Sequence, residues 1–321
     1  MFQYPYINLF LSTLITRTII ALSSSHWLII WISLEVNIIS FIPILASSRW
    51  HQESEAALKY FLFQALGSTF VLLGVLSSSY NLLIVFGLII KLGVAPFHYW
   101  FPSVIRSVSW LSALLLLTWQ KIAPLILLIS SFHEYKEILL LVGIVSALVG
   151  GLGGLIQTRL QPILAYSSIG HIGWILATSY ASPFISLLYL FYYILISIPI
   201  VWSAQKGSLY SLKQTKTPLY NYVMIITLPC ILSLRGLPPL LGFFPKLLAV
   251  ISFSSTIFPL CLLLGSLINL RYYLNFFFAS LLSTSSQKLS FFDPSSSYFL
   301  LLLAYLATLP LPSIFFLAAT L

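Results

Sequence analysis

The segment NLLIVFGLIIKLGVAPFHY, residues 81–99, decides the fold class because it is long, apolar and has a single charge. A helix of about 20 residues crosses the hydrocarbon core of a bilayer, which is about 30 Å thick. Helix is the expected conformation, since backbone groups left unpaired in lipid are too costly. Similar segments occur at 4–22, 26–47, 56–77, 104–131, 137–155, 160–179, 184–204, 220–252, 256–280 and 298–319. The sequence therefore predicts an all-α bundle that crosses a membrane about eleven times.

The composition excludes a water-soluble protein. Hydrophobic residues make up 60% of the 321 residues and charged residues 7%, against about 25% charged in a soluble domain. The longest polar loops, about 205–219 and 281–297, are too short to fold alone. We therefore predict one multi-pass membrane domain over residues 1–321. Its basic residues are scattered singly, which argues against nucleic-acid binding and fits contacts with lipid.

Two of the predicted helices are interrupted. The stretch 220–252 is too long for one straight crossing and contains Gly236, Pro238, Pro239 and Pro245. Residues 81–99 likewise combine a lysine with a proline, which breaks helical hydrogen bonding. Interrupted helices in corresponding halves of a chain are typical of the inverted repeats of transporters. We predict a first repeat at about 26–131, a second at about 137–280 and a C-terminal helix at about 298–319.

The loop charges predict the orientation in the membrane. Basic residues favour the side on which the protein is made, and successive loops alternate between the two sides. Odd-numbered loops hold only Lys136, which is flanked by Glu134 and Glu137. Even-numbered loops hold Arg49, Arg106, Arg159, Lys206, Lys213, Lys216 and Lys288. We therefore expect the N-terminus on the positive-inside face and the C-terminus on the opposite face.

The usual signatures of soluble enzymes are absent from the sequence. Cys230 and Cys261 lie in apolar runs, with no CxxC pair and no zinc spacing. The histidines offer no facing pair for a haem, and neither a catalytic Ser/His/Asp arrangement nor a nucleotide-binding loop occurs. We predict no metal site, no cofactor site and no redox centre. The N-terminus shows no cleavable leader, so we expect no processing there.

Four ionisable residues fall inside the predicted spans: Glu35, Lys91, Lys121 and Lys246. A charge at the middle of a membrane helix costs about 2.5–3.5 kcal/mol on insertion scales. One interpretation is that each lysine reaches the interface along its aliphatic stem. The other is a proton site, because a proline at 96, 124 or 245 lies within five residues of each lysine and frees backbone carbonyls. On this second interpretation Glu35 could switch a nearby ammonium between holding and releasing its proton.

Other polar residues at depth have two interpretations each. His98 and His171 fit hydrogen-bonded packing better than proton transfer, although both remain candidates for a proton path. Tyr166 and Ser167 could line a hydrated path. Arg235 could tune Lys246, but an interface position near lipid phosphate is our expectation.

The strings around these charges resemble a known family. They are LEVNIISFIPIL at Glu35, EAALKYFLFQALGS, KLGVAPFHYWFP at Lys91, LLLLTWQKIAPL at Lys121, GGLIQTRLQPILAYSSIGHIGW and LRGLPPLLGFFPK ending at Lys246. In type and order they are similar to those of mitochondrially encoded NADH-ubiquinone oxidoreductase chain 2, an antiporter-like membrane subunit family of respiratory complex I. The resemblance extends from about residue 27 to 250.

The resemblance implies a function and a location. It implies that a line of protonatable groups runs through the subunit, formed by Glu35, Lys91, Lys121 and Lys246. Electron transfer from NADH to ubiquinone would drive proton translocation along this line. NADH, FMN, iron–sulfur clusters and ubiquinone would bind to other subunits, and the partners would be neighbouring membrane subunits and lipids. The location would be the mitochondrial inner membrane, with the N-terminus in the matrix and the C-terminus in the intermembrane space. The fold would lack the three N-terminal helices of bacterial counterparts.

Four positions depart from the family pattern: Ile156, Gln161, Pro162 and Arg235. The first three change the chemistry of a loop on the basic face of the membrane. Arg235 adds a permanent charge beside an interrupted helix. Two other functions remain open at this point. They are a stand-alone cation/proton antiporter and a purely structural membrane subunit, although scaffolding alone does not predict the repeated lysine-bearing helices.

Overall fold

The computed structural model describes residues 5–47, 51–77, 81–207, 227, 229–237 and 240–284. These residues contain twelve α-helices. The first seven are α1 (Pro5–Ser23), α2 (Trp27–Leu45), α3 (His51–Leu76), α4 (Asn81–Leu92), α5 (Trp100–Ile105), α6 (Trp110–Leu117) and α7 (Trp119–Ser131). The others are α8 (Lys136–Leu155), α9 (Leu160–Ala181), α10 (Pro183–Lys206), α11 (Phe243–Ser252) and α12 (Ile257–Thr284). Residues 229–235 add a short helical stretch before α11.

The prediction of an all-helical membrane protein is confirmed. Each of the first ten predicted segments contains helix, and the eleventh, 298–319, lies outside the described residues. Six helices are long and apolar enough to cross a membrane by length and composition. Three shorter apolar helices are also present, at Ile7–Ser23, Asn81–Leu92 and Phe243–Ser252.

Two predicted segments differ from the helices that form. The helix at 81–99 ends at Leu92, and the single helix expected over 104–131 is divided into α6 and α7 at Thr118. Helix α6 also begins later than predicted, because the hydroxyl of Ser109 caps it by accepting a hydrogen bond from the backbone N–H of Ser112 at 3.5 Å.

The described chain divides into two compact units, Met1–Ile138 and Leu139–Leu321. In the first unit, α3 and α4 pack at very short range through Gly67 and Gly87. A Cβ built on Gly87 would lie 2.6 Å from the carbonyl oxygen of Gly67, so only a residue without a side chain fits. The indole of Trp31 donates to the carbonyl of Ser68 at 3.1 Å and ties α2 to α3.

In the second unit, α9 is the central helix and almost all of its side chains are buried. Helix α8 packs closely against it, because a Cβ on Gly150 would lie 2.7 Å from the backbone of α9 at Gly170 and Tyr166. Small residues permit this close approach of helices in membranes. The glycine cluster that follows Gly150 also admits the ring of Tyr272 from α12, which contacts Gly154.

Candidate functional site

Four cationic side chains are buried near the ends of helices. Lys91, Lys121, Lys246 and Arg235 have exposed fractions between 2 and 9%. A buried charge is costly unless neighbouring groups compensate for it. What each cation can do therefore depends on the groups around it.

Lys91 lies in the last turn of α4, which ends in a Schellman motif. The backbone N–H of Gly93 donates to the carbonyl of Ile90 at 3.0 Å, and that of Val94 to Ile89 at 3.5 Å. Gly93 has φ +65°, a left-handed conformation that favours glycine. A cation in the last turn interacts favourably with the helix dipole. Local backbone structure therefore supports the ammonium of Lys91.

Helix α3 contacts the main-chain carbonyl and the side-chain stem of Lys91. The amide of Gln64 donates to the main-chain carbonyl of Lys91 at 2.9 Å, which satisfies an acceptor left free by the end of α4. The stem of Lys91 lies against Gly67, where a Cβ would come 2.8 Å from Cγ. Its Nζ atom is buried and makes no hydrogen bond within the described part of the chain. The stem is thus fixed while the ammonium stays available to a proton-carrying partner.

Glu35, the predicted carboxylate, lies on α2 and is half-buried. It interacts electrostatically with Lys91. Among the described residues, direct N–O contact occurs in the ion pair of Lys59 with Glu55, at 2.6 Å. Both residues are exposed and belong to α3. Glu35 is thus within electrostatic range of Lys91 but does not contact it directly.

Lys121 lies in the first turn of α7, and its Nζ stands 4.2 Å from the ring centroid of Phe101. This cation–π contact offsets part of the cost of burial. The adjoining Gln120 exchanges two amide hydrogen bonds with Asn37 of α2, at 3.2 and 3.4 Å. The positive end of the helix dipole disfavours a cation in a first turn. The ammonium of Lys121 is therefore less well supported by its helix than that of Lys91.

His98 lies in the loop between α4 and α5. Its Nδ1 atom is 3.2 Å from the carbonyl oxygen of Pro96, and its ring lies 4.1 Å from that of Tyr99. Both partners belong to the same loop. These contacts match the interpretation of His98 as a hydrogen-bonded packing residue.

Lys246 lies in the first turn of α11, and its Nζ donates a hydrogen bond to the main-chain carbonyl of Arg235. The backbone turns at Gly236, which has φ +74° and donates to the carbonyl of Ser233 at 2.9 Å. A Cβ on Gly236 would lie 3.0 Å from Cδ of Lys246. The interrupted helix therefore supplies both the acceptor for the ammonium and the space for the lysine stem.

Arg235 is buried among the helices of the second unit, beside Lys246. Its exposed fraction is 8%, and its guanidinium carbon lies 5.0 Å from the ring centroid of Tyr273. None of its three side-chain nitrogens has a hydrogen-bond partner among the described residues. A guanidinium prefers the face of an aromatic ring, and α12 provides that ring beside the turn at Gly236.

His171 on α9 belongs to a buried polar cluster with two tyrosines of α10. Its Nδ1 atom is 3.0 Å from the hydroxyl of Tyr189, and its ring is 5.4 Å from that of Tyr193. The hydroxyl of Tyr193 in turn faces the side chain of Ser168. This arrangement differs from that of His98, because a hydroxyl of a neighbouring helix, that of Tyr189 on α10, is within reach of the imidazole.

Tyr166 and Ser167 have different surroundings. The ring of Tyr166 covers Gly153, which leaves no space there for a side chain. Ser167 donates to the carbonyl of Leu164 at 2.9 Å and faces the hydroxyl of Tyr273. Ser167 is therefore next to the group that stacks with Arg235, whereas Tyr166 mainly fills a helix contact.

Sequence reasoning missed Gln64, Tyr189, Tyr193 and Tyr273. Tyr189 and Tyr193 had a usable signal, because polar tips four residues apart share one face of a helix. Gln64 was also visible as a lone amide in an apolar span. Tyr273 gave no signal, since its contact with Arg235 depends on tertiary folding. Within the described residues, no group of three or more His, Cys, Asp and Glu could hold a metal ion.

Comparison with known proteins places the chain in a family. The family described as "NADH:quinone oxidoreductase/Mrp antiporter, TM" matches residues 24–79 and 76–270. NADH-ubiquinone oxidoreductase chain 2 of Lumbricus terrestris is 38% identical over 292 residues, covering 86% of this chain and 87% of that protein. The chain 2 protein of Paradoxurus hermaphroditus is 36% identical over 338 residues, covering 96% of each.

Solved structures agree with the sequence matches. A chain of respiratory complex I from Thermus thermophilus aligns with a TM-score of 0.78 and 25% identity, over 94% of this chain and 77% of that one. A chain of the Mrp complex from Dietzia sp. aligns with a TM-score of 0.75 and 17% identity, over 83% and 59%. The second match shows the shared fold alone. The chain belongs to the NADH-ubiquinone oxidoreductase chain 2 family, whose members share the antiporter-type membrane fold.

Proposed function

We propose that this chain is a core membrane subunit of NADH-ubiquinone oxidoreductase and translocates protons through its buried lysines. Electron transfer from NADH to ubiquinone, at cofactors held by other subunits, supplies the driving force. The chain itself holds no redox centre. Its partners are the other membrane subunits of the complex, including neighbouring antiporter-like subunits, and lipids.

The observation that supports this proposal most is the burial of three lysines at the ends of interrupted helices. Lys91, Lys121 and Lys246 are each at least nine-tenths buried. Lysines that only reach along their stems to the membrane surface would keep their ammonium groups in water. At Lys246 the interruption leaves a backbone carbonyl, that of Arg235, which accepts a hydrogen bond from the ammonium.

The surroundings of each lysine suggest its part in the transfer. Glu35 lies within electrostatic range of Lys91, so any movement of Glu35 toward or away from Lys91 changes the charge that the ammonium faces. Lys121 and Lys246 begin their helices and lack the favourable dipole that supports Lys91. We infer that protons pass between the three lysines. Ser167 and His171 are further members of the path.

The family relationship supports the mitochondrial inner membrane as the location. Relatives that are 35–38% identical over most of their length are chain 2 proteins. The distribution of loop charges supports a matrix N-terminus and an intermembrane-space C-terminus. A stand-alone antiporter is less favoured, because the Mrp chain shares 17% identity and only 59% of its length is matched.

Replacement of single lysines in the assembled complex tests the proposal. Lys91→Met, Lys121→Met and Lys246→Met would be introduced in turn, and the purified complex would be placed in sealed liposomes. Proton uptake per electron would be measured during NADH oxidation. We expect each variant to translocate fewer protons per electron, because methionine cannot carry a proton and preserves most of the apolar stem.

Lys59→Met is the matched control, since Lys59 is exposed and lies outside the buried set. It should leave the ratio of protons to electrons unchanged. A normal ratio in all three buried-lysine variants, in complexes that assemble fully, would show that this chain is a scaffold. Translocation that persists without electron transfer and requires a metal-cation gradient would favour the antiporter.

A further inference from the structure

The second unit contains a group of buried polar side chains centred on Arg235. Several buried side-chain nitrogen and oxygen atoms in this unit lack a hydrogen bond among the described residues. Four of them belong to this group: the three guanidinium nitrogens of Arg235 and Oδ1 of Asn269. The hydroxyls of Tyr272 and Tyr273 lie beside them, and that of Tyr273 faces Ser167. Buried polar atoms in native proteins rarely remain unpaired, because their desolvation is not compensated. Something outside the chain's own side chains must satisfy them.

These residues are neighbours in space. The guanidinium of Arg235 stacks on Tyr273, and the rings of Tyr272 and Tyr273 are 4.5 Å apart. Asn269 lies three and four residues before the tyrosines, on the same face of α12. The amide of Asn269 points toward α9, where a Cβ on Gly170 would lie 3.2 Å from its Nδ2.

The site lies in the C-terminal half of α12. Tyr273 is 16 residues from the start of α12 and 11 from its end, which is about 24 and 17 Å along the axis at a rise of 1.5 Å per residue. The sequence from 139 to 321 contains one acidic residue, Asp293, which lies outside the described residues. No described carboxylate of this unit can neutralise Arg235.

The chemistry of the unpaired atoms favours water over an anion. The guanidinium needs acceptors, the amide oxygen of Asn269 needs a donor, and each tyrosine hydroxyl can use both. An anion could accept from Arg235 but could not donate to Asn269. Water supplies both functions and is the usual partner of buried unpaired groups.

We propose that Arg235, Asn269, Tyr272 and Tyr273 enclose a water-holding chamber beside Lys246, and that Arg235 is the positioning residue that keeps it hydrated. The chamber connects two groups described above, because Lys246 binds the carbonyl of Arg235 and Ser167 faces the hydroxyl of Tyr273. It supplies Lys246 with protons from the side of α9. This inference rests on the proposed proton translocation and assigns a role to a residue that departs from the family pattern.

A density map of the unmodified complex at a resolution that shows ordered water is the first test. We expect waters within hydrogen-bond distance of the guanidinium and of at least one tyrosine hydroxyl. A carboxylate, a lipid phosphate or continuous protein density at those atoms would overturn the chamber. This arm does not depend on the stability of any variant.

Arg235→Met and Tyr273→Phe are the functional tests, each in the whole complex. Both remove polar atoms from the chamber while keeping the bulk of the side chain. We expect a loss of protons translocated per electron comparable with that of Lys246→Met, and partial recovery in Arg235→Lys, which retains the charge. Arg271→Met, which removes an exposed cation from α12, and Tyr180→Phe, which removes an exposed hydroxyl, should change nothing.

The outcomes separate the two proposals. If Lys246→Met lowers the ratio and both Arg235→Met and Tyr273→Phe leave it normal, the chamber is wrong while proton translocation stands. If Lys246→Met itself leaves the ratio normal, translocation through Lys246 is wrong.

Discussion

At the scale of single residues, two helices end in the same way. Lys91 precedes Gly93 at the end of α4, and Arg235 precedes Gly236 at the end of residues 229–235. Each glycine has a positive φ and donates to a carbonyl three residues back. The carbonyls that the helix can no longer use are taken by side chains, that of Lys91 by Gln64 and that of Arg235 by Lys246. Helix termination thus creates the polar contacts in a largely apolar interior.

Substitution of the second glycine tests this arrangement. Gly236→Ala places a side chain at φ +74°, which costs roughly 1–2 kcal/mol for an L-residue. The new Cβ would also press on the stem of Lys246 at 3.0 Å. We expect faster heat inactivation of the complex and fewer protons per electron. Gly207→Ala is the control, because φ there is −82° and alanine fits. Equal inactivation rates for the two variants would contradict the proposed role of the turn.

Some residues of the site could be predicted from the sequence and others could not. The lysines were visible because a charge in an apolar run has a known cost. Arg235 was visible too, but its contact with Tyr273 could not be predicted, since the two residues are 38 positions apart in the chain. Contacts that depend on distant segments leave no local pattern.

At the scale of helices, the sequence predicted the interruptions near Lys91 and Lys246 but missed the division between α6 and α7. The first two have glycine and proline within a few residues of the lysine. The third occurs at Thr118, ahead of Pro124 inside α7. Proline removes the hydrogen bond to the residue four positions earlier, here Gln120. The side-chain amide of Gln120 also pairs with that of Asn37 on α2, a contact that only the tertiary structure shows.

The Asn37–Gln120 pair should therefore stabilise the packing of α2 on α7. Asn37→Leu or Gln120→Leu leaves the other amide unpaired, at about 1–3 kcal/mol for a buried polar group. The double variant removes both amides, so its effect should be smaller than the sum of the single effects. Heat-inactivation rates of the complex measure this coupling. Strictly additive rates would mean that the two amides do not support each other. Ser130→Ala, at an exposed hydroxyl of α7, is the control.

At the scale of the whole molecule, acidic and basic residues are distributed unequally along the chain. Five of the six acidic residues lie within residues 1–138, and one, Asp293, lies within 139–321. Lys91 in the first unit therefore has a carboxylate nearby, whereas Lys246 in the second has the fixed charge of Arg235. Both units have a lysine at an interrupted helix. The charged neighbour of that lysine is negative in the first unit and positive in the second.

The loop charges also predict which face of the membrane each loop occupies. Labelling of mitoplasts can test this prediction. Glu134 and Thr158 are exposed residues in consecutive loops on either side of α8. Mitoplasts with Glu134→Cys should react with a membrane-impermeant maleimide, and those with Thr158→Cys should react only after the membrane is opened. Cys261, which is partly accessible, would first be replaced by serine. Labelling of both variants in detergent excludes shielding by other subunits. The reverse pattern would place the N-terminus outside the matrix and contradict the charge rule for this chain.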